Sequence, residues 1–405
     1  MFKPELLSPA GSLDKLIAAV SYGADAVYLA GQKFGLRTAA ENFTIDELEE
    51  GVEFAHSRGT KIYTVLNSFL HDEDLVELPE FISHLSRLKI DGVIASDMGV
   101  ITTVAKHSQL PIHLSTQASC LNEESAKLWK ELGVHRLILG REASILDAKR
   151  LKEMTGGMEI ELFIHGSMCM AYSGNCTISN FTQGRDSNRG GCAQSCRFNY
   201  SLETENQTES EAESHKSTFF MSSKDLMGIE LIPQFFEAKI DSVKIEGRMR
   251  SPLYAGMISK IYREAIDAYA TSPENFQKLL SHWNHELNLI PHREYSPGSL
   301  VDQAGQNSVN KQAKKPENRD EYEFIGIVRK VVNQDYLLME VRNSFTPEEM
   351  IELVPHQGNA IVFKANGLKS AVGDEIALAK QSTLVRIPYF AQAQAGQFLR
   401  RLIHP

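Results

Sequence analysis

The sequence predicts an α/β protein, a TIM-like (β/α)8 barrel followed by a small C-terminal all-β domain. From residue 5 to residue 272, short β-rich runs alternate with amphipathic segments, the pattern of βα units wound around a parallel sheet. Eight such runs can be counted, and eight is the strand number of that barrel. Beyond residue 320, β-rich runs follow one another without helices between them, as in a compact all-β module.

The eight strands are expected at Glu5 to Leu7, Ala26 to Leu29, Lys61 to Leu66, Gly92 to Ala95, Pro111 to Ser115, Arg136 to Leu139, Glu159 to Ile164 and Ser242 to Ile245. Between them, Leu13, Leu16, Ile17 and Val20 recur at helical spacing, as do Ala126, Leu128, Trp129 and Leu132, giving helices an apolar face to lay on a sheet. Ser12 and Thr44 stand where N-caps are expected.

About 75 residues separate the seventh and eighth strands, far more than one crossover helix needs, and long loops of this kind usually carry function. The barrel with this insertion (167–222) is expected to span residues 1–275. Inside the insertion, Glu203 to Lys216 holds five Glu and almost no apolar residue, a solvated excursion with no chemistry assigned to it. Pro273, Pro291 and Pro297, with the polar stretch from Gln306 to Asp320, mark 276–320 as a linker region. The remainder, 321–405, is expected to be a small β-barrel accessory domain, with strands at Phe324 to Val332, Tyr336 to Val341, Ala360 to Phe363, Glu375 to Ala379 and Leu384 to Ile387. Such modules often grip RNA or another protein.

The 405 residues are 42% hydrophobic and 23% charged, the balance of a globular protein, and no apolar run approaches the roughly 18 residues of a membrane span. The first residues, Met1-Phe2-Lys3-Pro4-Glu5, carry neither the basic start nor the apolar core of a secretory signal, so a cytoplasmic location is expected. A net charge of -10 argues against a general basic coat for nucleic acid, although a local patch is compatible with it. From residue 311 onward, thirteen Lys and Arg face eleven Asp and Glu, a slight basic bias in the tail.

Four of the five cysteines, Cys169, Cys176, Cys192 and Cys196, crowd into 28 residues of the insertion, with six, fifteen and three residues between them. In a reducing compartment such crowding points to metal or redox chemistry rather than a disulfide framework. Four thiolates are what zinc or an iron-sulfur cluster needs. Zinc knuckles usually pair cysteines two to four apart at both ends, so the wide first pair favours the cluster; zinc and unrelated structural cysteines stay open. Cys120 stands alone after the fifth strand, as a small buried hydrophobe would.

Arg185, Arg189 and Arg197 lie around these cysteines, and the eighth strand runs into Lys244-Ile-Glu246-Gly-Arg248. On the barrel reading they converge on its C-terminal mouth, where active sites sit. Guanidinium forks hold carboxylates and phosphates at two points, so an anionic substrate belongs here, with Arg248 as its anchor; solvated surface or local pairing is the alternative for Arg185 and Arg189. Asn67, Ser115-Thr116-Gln117 and Arg141-Glu142 add a polar ring at other strand ends. His165 is placed to act as acid, base or ligand, or else as a satisfied structural residue. Glu246 is the carboxylate for proton chemistry; pairing with Glu142 has no spacing argument behind it.

A hydrolase has no visible machinery. His285 and His292 are seven apart with Pro291 between them, whereas zinc proteases space two histidines four apart on one helix face. No Gly-x-Ser-x-Gly elbow and no Gly-rich phosphate loop occur.

Glu-Leu-Leu-Ser-Pro-Ala-Gly at 5 to 11, Gly-Ala-Asp-Ala-Val-Tyr at 23 to 28, Glu161-Leu-Phe-Ile-His-Gly-Ser-Met-Cys169 and Arg-Gly-Gly-Cys192 are distinctive. On these motifs the chain resembles the collagenase-like peptidase family U-32, from the first strand through Arg248, with a tail similar to the accessory domain of longer members. The resemblance implies an oxygen-independent hydroxylation enzyme carrying a 4Fe-4S cluster on Cys169, Cys176, Cys192 and Cys196. Within the RNA-modifying branch, length and tail imply action on tRNA at the anticodon region, making 5-hydroxyuridine at the wobble position with prephenate as co-substrate. A dicarboxylate of that kind suits the arginine grouping, with Lys244, Gln117 and Asn67 as further contacts. A collagen-degrading peptidase and a subunit of an oxygen-independent ubiquinone hydroxylase are the alternatives. A second copy or a paralogue as partner stays open.

Overall fold

The computed structural model describes residues 2–36, 42–201, 218–310 and 322–403. The excursion at Glu203 to Lys216 and the linker stretch 311–320 lie outside the described residues.

Eight parallel strands form the barrel wall: β1 (Glu5–Pro9), β2 (Ala26–Leu29), β3 (Lys61–Leu66), β4 (Gly92–Ala95), β5 (Ile112–Leu114), β6 (Val134–Ile138), β7 (Glu159–Ser167) and, after one short strand β8 (Asp225–Met227), β9 (Ser242–Ile245). Val243 is the partner of Leu6 on β1 and of Leu162 on β7, so β9 closes the sheet on itself. Apart from Lys61 and His135, which are exposed, and Glu5 and Glu159, which are half-buried, the residues of these strands are buried, as in parallel strands covered on both faces. The closed barrel agrees with the expected fold class.

Helices α1 (Leu13–Ser21), α2 (Ile45–His56), α3 (Asp72–Leu75), α4 (Leu78–Arg87), α5 (Met98–His107), α6 (Glu123–Glu131) and α7 (Ile145–Met154) surround strands β1 to β7. The Thr44 side chain accepts from Glu47 N and Glu47 reaches back to Thr44 N, a complete capping box; Ser12 occupies the N-cap of α1 without a side-chain cap bond. A six-residue helix α8 (Ile178–Gln183) lies in the insertion, α9 (Ile232–Glu237) precedes β9, and α10 (Pro252–Thr271) follows it.

The prolines that suggested a linker from residue 276 act differently. Ser272 caps Asn275 N, Pro273 opens a helix α11 (Pro273–Asn288), and Phe276, Trp283 and Leu287 bury one face of it. Proline at the first turn of a helix costs nothing, because the N–H it lacks would have no partner there. A two-residue strand β10 (Tyr295–Ser296) then pairs with β8, which itself runs antiparallel to the overhanging end of β7.

The tail forms a seven-stranded antiparallel sheet of β11 (Tyr322–Val332), β12 (Tyr336–Val341), β13 (Met350–Val354), β14 (Ile361–Lys364), β15 (Lys369–Ser370), β16 (Leu384–Pro388) and β17 (Phe398–Leu402). In the order β14-β13-β17-β11-β12-β16-β15 no pairing joins the two edges among the described residues, so this is a half-barrel rather than a closed one. It encloses its own core of Ile325, Met339, Leu353, Val385 and Leu399. The strand expected at Glu375 to Ala379 is reduced to two isolated bridges, while β13 and β17 were not anticipated. The half-barrel docks on α1 and α10: Tyr22 Oη donates to Val354 O at 2.8 Å and stacks on Phe398, and Lys260 Nζ donates to Pro355 O at 2.8 Å.

Candidate active site

A column of alternating charge fills the barrel axis. At the floor, Arg136 Nη1 lies 2.6 Å from Glu5 Oε1 and 3.2 Å from Glu161 Oε2; above it, Lys244 Nζ donates to Glu161 Oε1 at 2.9 Å. Glu161 is wholly buried, and a buried carboxylate is tolerated only when paired and hydrogen-bonded. Burial alone would raise Glu5, but the Arg136 guanidinium beside it holds the carboxyl below its usual range. Higher still, Lys244 Nζ lies 4.4 Å from the centre of the Tyr28 ring, and Tyr28 Oη reaches Glu246 Oε2 at 3.2 Å. Lys244 and Glu246 thus arrive at the mouth on a rigid support.

At the C-terminal ends of the strands lies a cavity of about 150 Å³. All four insertion cysteines line it, together with Asn67, Gln117, Lys244, Glu246 and Arg248. Arg248, 3% exposed, comes from the β9 end. The turn after β1 passes close beneath it: a β-carbon on Gly11 would stand 2.3 Å from the Arg248 carbonyl oxygen, which explains the glycine ending the first motif. On the opposite wall Asn67 Nδ2 donates to Gln117 Oε1 at 2.9 Å and to Ser115 Oγ at 3.3 Å, and Asn67 Oδ1 accepts from Leu36 N.

The cysteine-bearing segment is held both by strand ends and by bonds within itself. Ser173 N donates to Glu142 Oε1 at 2.9 Å and Arg141 N to Ser173 Oγ at 3.0 Å, while Ser119 Oγ donates to Ser173 O. Further on, Asn188 Nδ2 donates to Cys176 O at 3.1 Å, Phe69 N to Asn188 O, and Ala193 N to Ser179 Oγ. Loops after β3, β5 and β6 therefore fix the positions from which the thiols face the cavity. Burial pushes the Cys196 thiol up, Arg197 opposes this, and the other three cysteines push it up further. No three His, Cys, Asp or Glu side chains among the described residues stand close enough to grip a single metal ion. Cys120 is buried apart, its thiol pushed up to about 11 by burial.

Several expected residues do not reach the cavity. Arg189 turns outward, its Nη1 bound to Asp74 Oδ2 at 2.9 Å and to Phe69 O at 2.8 Å. Arg185 is exposed beyond the end of α8, and Arg197 Nη1 donates to Gln194 Oε1 at 2.6 Å. None of the three is among the lining residues. Glu142 is engaged with the 173 backbone, so it forms no carboxylate pair with Glu246 inside the cavity.

His165 does not face the cavity either. Alternation along β7 would aim it inward with Glu161 and Phe163, but the register shifts between Phe163 and His165, a bulge that turns its side chain over. It lies outside the barrel among Tyr254, Tyr262 and Tyr295, with Nδ1 3.1 Å from Tyr262 Oη. Burial pushes it down to about 3, so it is neutral. Its role is structural.

Arg141, which the sequence marks only as a strand-end residue, does line the cavity. Its guanidinium carbon stands 4.3 Å from the centre of the Phe163 ring, and its Nε makes no hydrogen bond. Thr116 Oγ1 and Ser187 Oγ, also on the cavity wall, are equally without a hydrogen-bond partner. Each buried polar atom left so costs about 1–3 kcal/mol unless water or a ligand meets it.

Residues 11–310 match the family described as Peptidase family U32, and residues 320–400 match the Peptidase family U32 C-terminal domain. The chain is 42% identical over 356 residues to tRNA hydroxylation protein P1 of Bacillus subtilis, covering 86% of this chain and 83% of that one. It is 31% identical to tRNA hydroxylation protein P of Escherichia coli, covering 94% and 92%. It is also 30% identical to a protein named Collagenase from Porphyromonas gingivalis, covering 74% of each. No helix among the described residues is long and apolar enough to cross a membrane.

Proposed function

The chain belongs to peptidase family U32, and from that premise we propose that it is an RNA-hydroxylating enzyme that converts the wobble uridine of tRNA to 5-hydroxyuridine. On this reading the reaction needs no molecular oxygen, uses prephenate as co-substrate, and depends on a 4Fe-4S cluster held by Cys169, Cys176, Cys192 and Cys196. The observation that carries the reading is the meeting of four thiols with Lys244, Glu246 and Arg248 around one cavity at the barrel mouth. Likeness along most of the chain to two proteins named for tRNA hydroxylation supports RNA as the substrate.

The donor set suits a cluster. Four thiolates are what a cluster or zinc takes, and the six residues between Cys169 and Cys176 exceed the two to four usual between the paired cysteines of a zinc knuckle. When bound, a cluster supplies one-electron redox chemistry or an iron site. The chain's own residues have separate work: Arg248 and Lys244 attract the anionic co-substrate, Asn67 and Gln117 orient it, and Glu246 holds or accepts a proton. The apolar wall formed by Val65, Ile94 and Ile138 excludes water. The half-barrel grips the anticodon arm.

The peptidase reading gains nothing from the histidines. His165 is enclosed by tyrosines, and Glu286, next to His285, is held at 2.9 and 3.0 Å by both terminal nitrogens of Arg400.

Nucleoside mass spectrometry of tRNA from a deletion strain tests the reading. The strain should lose 5-hydroxyuridine and its derivatives, wild-type protein should restore them, and Cys192→Ser should not; unchanged nucleosides would refute it. Anaerobically purified protein should carry iron and sulfide, and zinc in their place would overturn the cofactor assignment.

A further inference from the structure

We propose that Arg141 and Thr116 form a carboxylate-binding subsite within the cavity, shaped for a small hydroxylated organic acid with an apolar body. Arg141 emerges from the end of β6 and its side chain is 10% exposed. Phe163 lies against its guanidinium, and Nε has no hydrogen-bond partner. Glu246 Oε2 stands 4.0 Å from Nη2, close enough to attract the charge and too far to form a hydrogen bond. Thr116, 5% exposed on the turn after β5, offers an Oγ1 that is likewise unpartnered, and Ser187 Oγ from the insertion adds a third such atom on the same wall.

The ligand class follows from these groups. The Nε and Nη2 hydrogens of an arginine match the two oxygens of a carboxylate, a geometry that lysine cannot reproduce. Glu246, beside that fork and accepting from Tyr28 Oη at 3.2 Å, would accept from a hydroxyl of the acid, while a second carboxylate would turn to Lys244 and Arg248 on the same cavity lining. Thr116 Oγ1 can donate to a carboxylate oxygen. Ile94, Ile138 and Phe163 add apolar surface to the same lining, which favours an acid with a hydrocarbon body over inorganic phosphate. A cavity near 150 Å³ is about the size that accommodates a single six-membered ring.

This subsite deepens the reading above and rests on it in one respect, that the acid held here is the small anionic co-substrate. Titration calorimetry on the full-length protein, with prephenate, inorganic phosphate and the hydroxyl-free acid phenylpyruvate as probes, tests it without RNA. Prephenate should bind best. Arg141→Lys, which keeps the charge, and Arg141→Met should each weaken it by about 10-fold or more, and Thr116→Val by several-fold, as expected for lost hydrogen bonds to a charged group. All three variants should keep the thermal midpoint and the iron content of the wild type. Binding that survives Arg141→Met within twofold would overturn the subsite, as would no binding to the wild type, or phosphate binding as tightly as prephenate. If Arg141-dependent binding is found while the deletion strain keeps its 5-hydroxyuridine, the subsite stands and the RNA reading falls. If the strain loses the nucleoside but Arg141 proves dispensable for binding, the reverse holds.

Discussion

Gly174 packs directly on Gln117: a β-carbon there would stand 2.3 Å from the Gln117 carbonyl oxygen, and the residue's φ is +84°. The segment between Cys169 and Cys176 is therefore docked by backbone contact onto the turn that also supplies Thr116 and Gln117 to the cavity. Gly174→Ala adds both a clash and a left-handed alanine, costing about 1–3 kcal/mol locally. The expected outcome is a protein with all four thiols intact but markedly lower iron content after anaerobic purification. Full iron loading would show that the docking is dispensable.

The barrel strands were legible because each is a short, mostly apolar run between polar or glycine-bearing segments, and those at Ala26–Leu29, Lys61–Leu66, Gly92–Ala95 and Ser242–Ile245 coincide with expectation. Helix α11 was hidden by its prolines, although Phe276, Trp283 and Leu287 carry helical spacing. In the site, the cysteines declared themselves by crowding. Side-chain direction did not: a one-residue bulge takes His165 out of the barrel, and Arg189 is captured by Asp74, more than 100 residues earlier in the chain. Such partners are set by tertiary contact and leave no local trace. Arg141 was legible as a member of the polar ring, since a position after the sixth strand faces the mouth in such a barrel, but its place against Phe163 was not.

Arg136 serves Glu5, Glu159 and Glu161 at once from a side chain 5% exposed. Arg136→Met would leave Glu161 with Lys244 alone and Glu5 without a guanidinium. Breaking a buried pair from one side typically costs about 3–5 kcal/mol. Urea unfolding should show a lower midpoint by that measure, and a change below about 1 kcal/mol would mean that water enters the barrel floor freely.

Tyr22 couples the two domains through both lone pair and proton: its hydroxyl donates to Val354 O at 2.8 Å and accepts from Phe398 N at 3.0 Å. Tyr22→Phe keeps the ring stacked on Phe398 but strands two buried backbone groups, each worth about 1–3 kcal/mol. Calorimetry is expected to show one unfolding transition for the wild type and two for the variant, the half-barrel melting first. An unsplit, unshifted transition would place the coupling elsewhere, for instance in the Arg400 pairing with Glu286.

His165 makes the barrel sensitive to acid. Its folded-state value lies at about 3, pushed down by burial, against an ordinary value of 6.5. Between these limits the unfolded chain binds a proton that the folded chain refuses, so stability is fully present above about pH 6.5 and declines as pH falls toward 3. One such group contributes up to about 1.4 kcal/mol per pH unit in that window. His113, also lowered by burial, acts in the same direction, so replacing one histidine should reduce the slope without abolishing it. His165→Gln retains a partner for Tyr262 Oη, which also donates to Ile164 O at 3.3 Å. Urea midpoints taken from pH 7 to pH 4 should fall less steeply in this variant, by about one proton. An identical slope would mean that His165 opens to solvent before the barrel unfolds, and that the tyrosine enclosure is not what keeps it neutral.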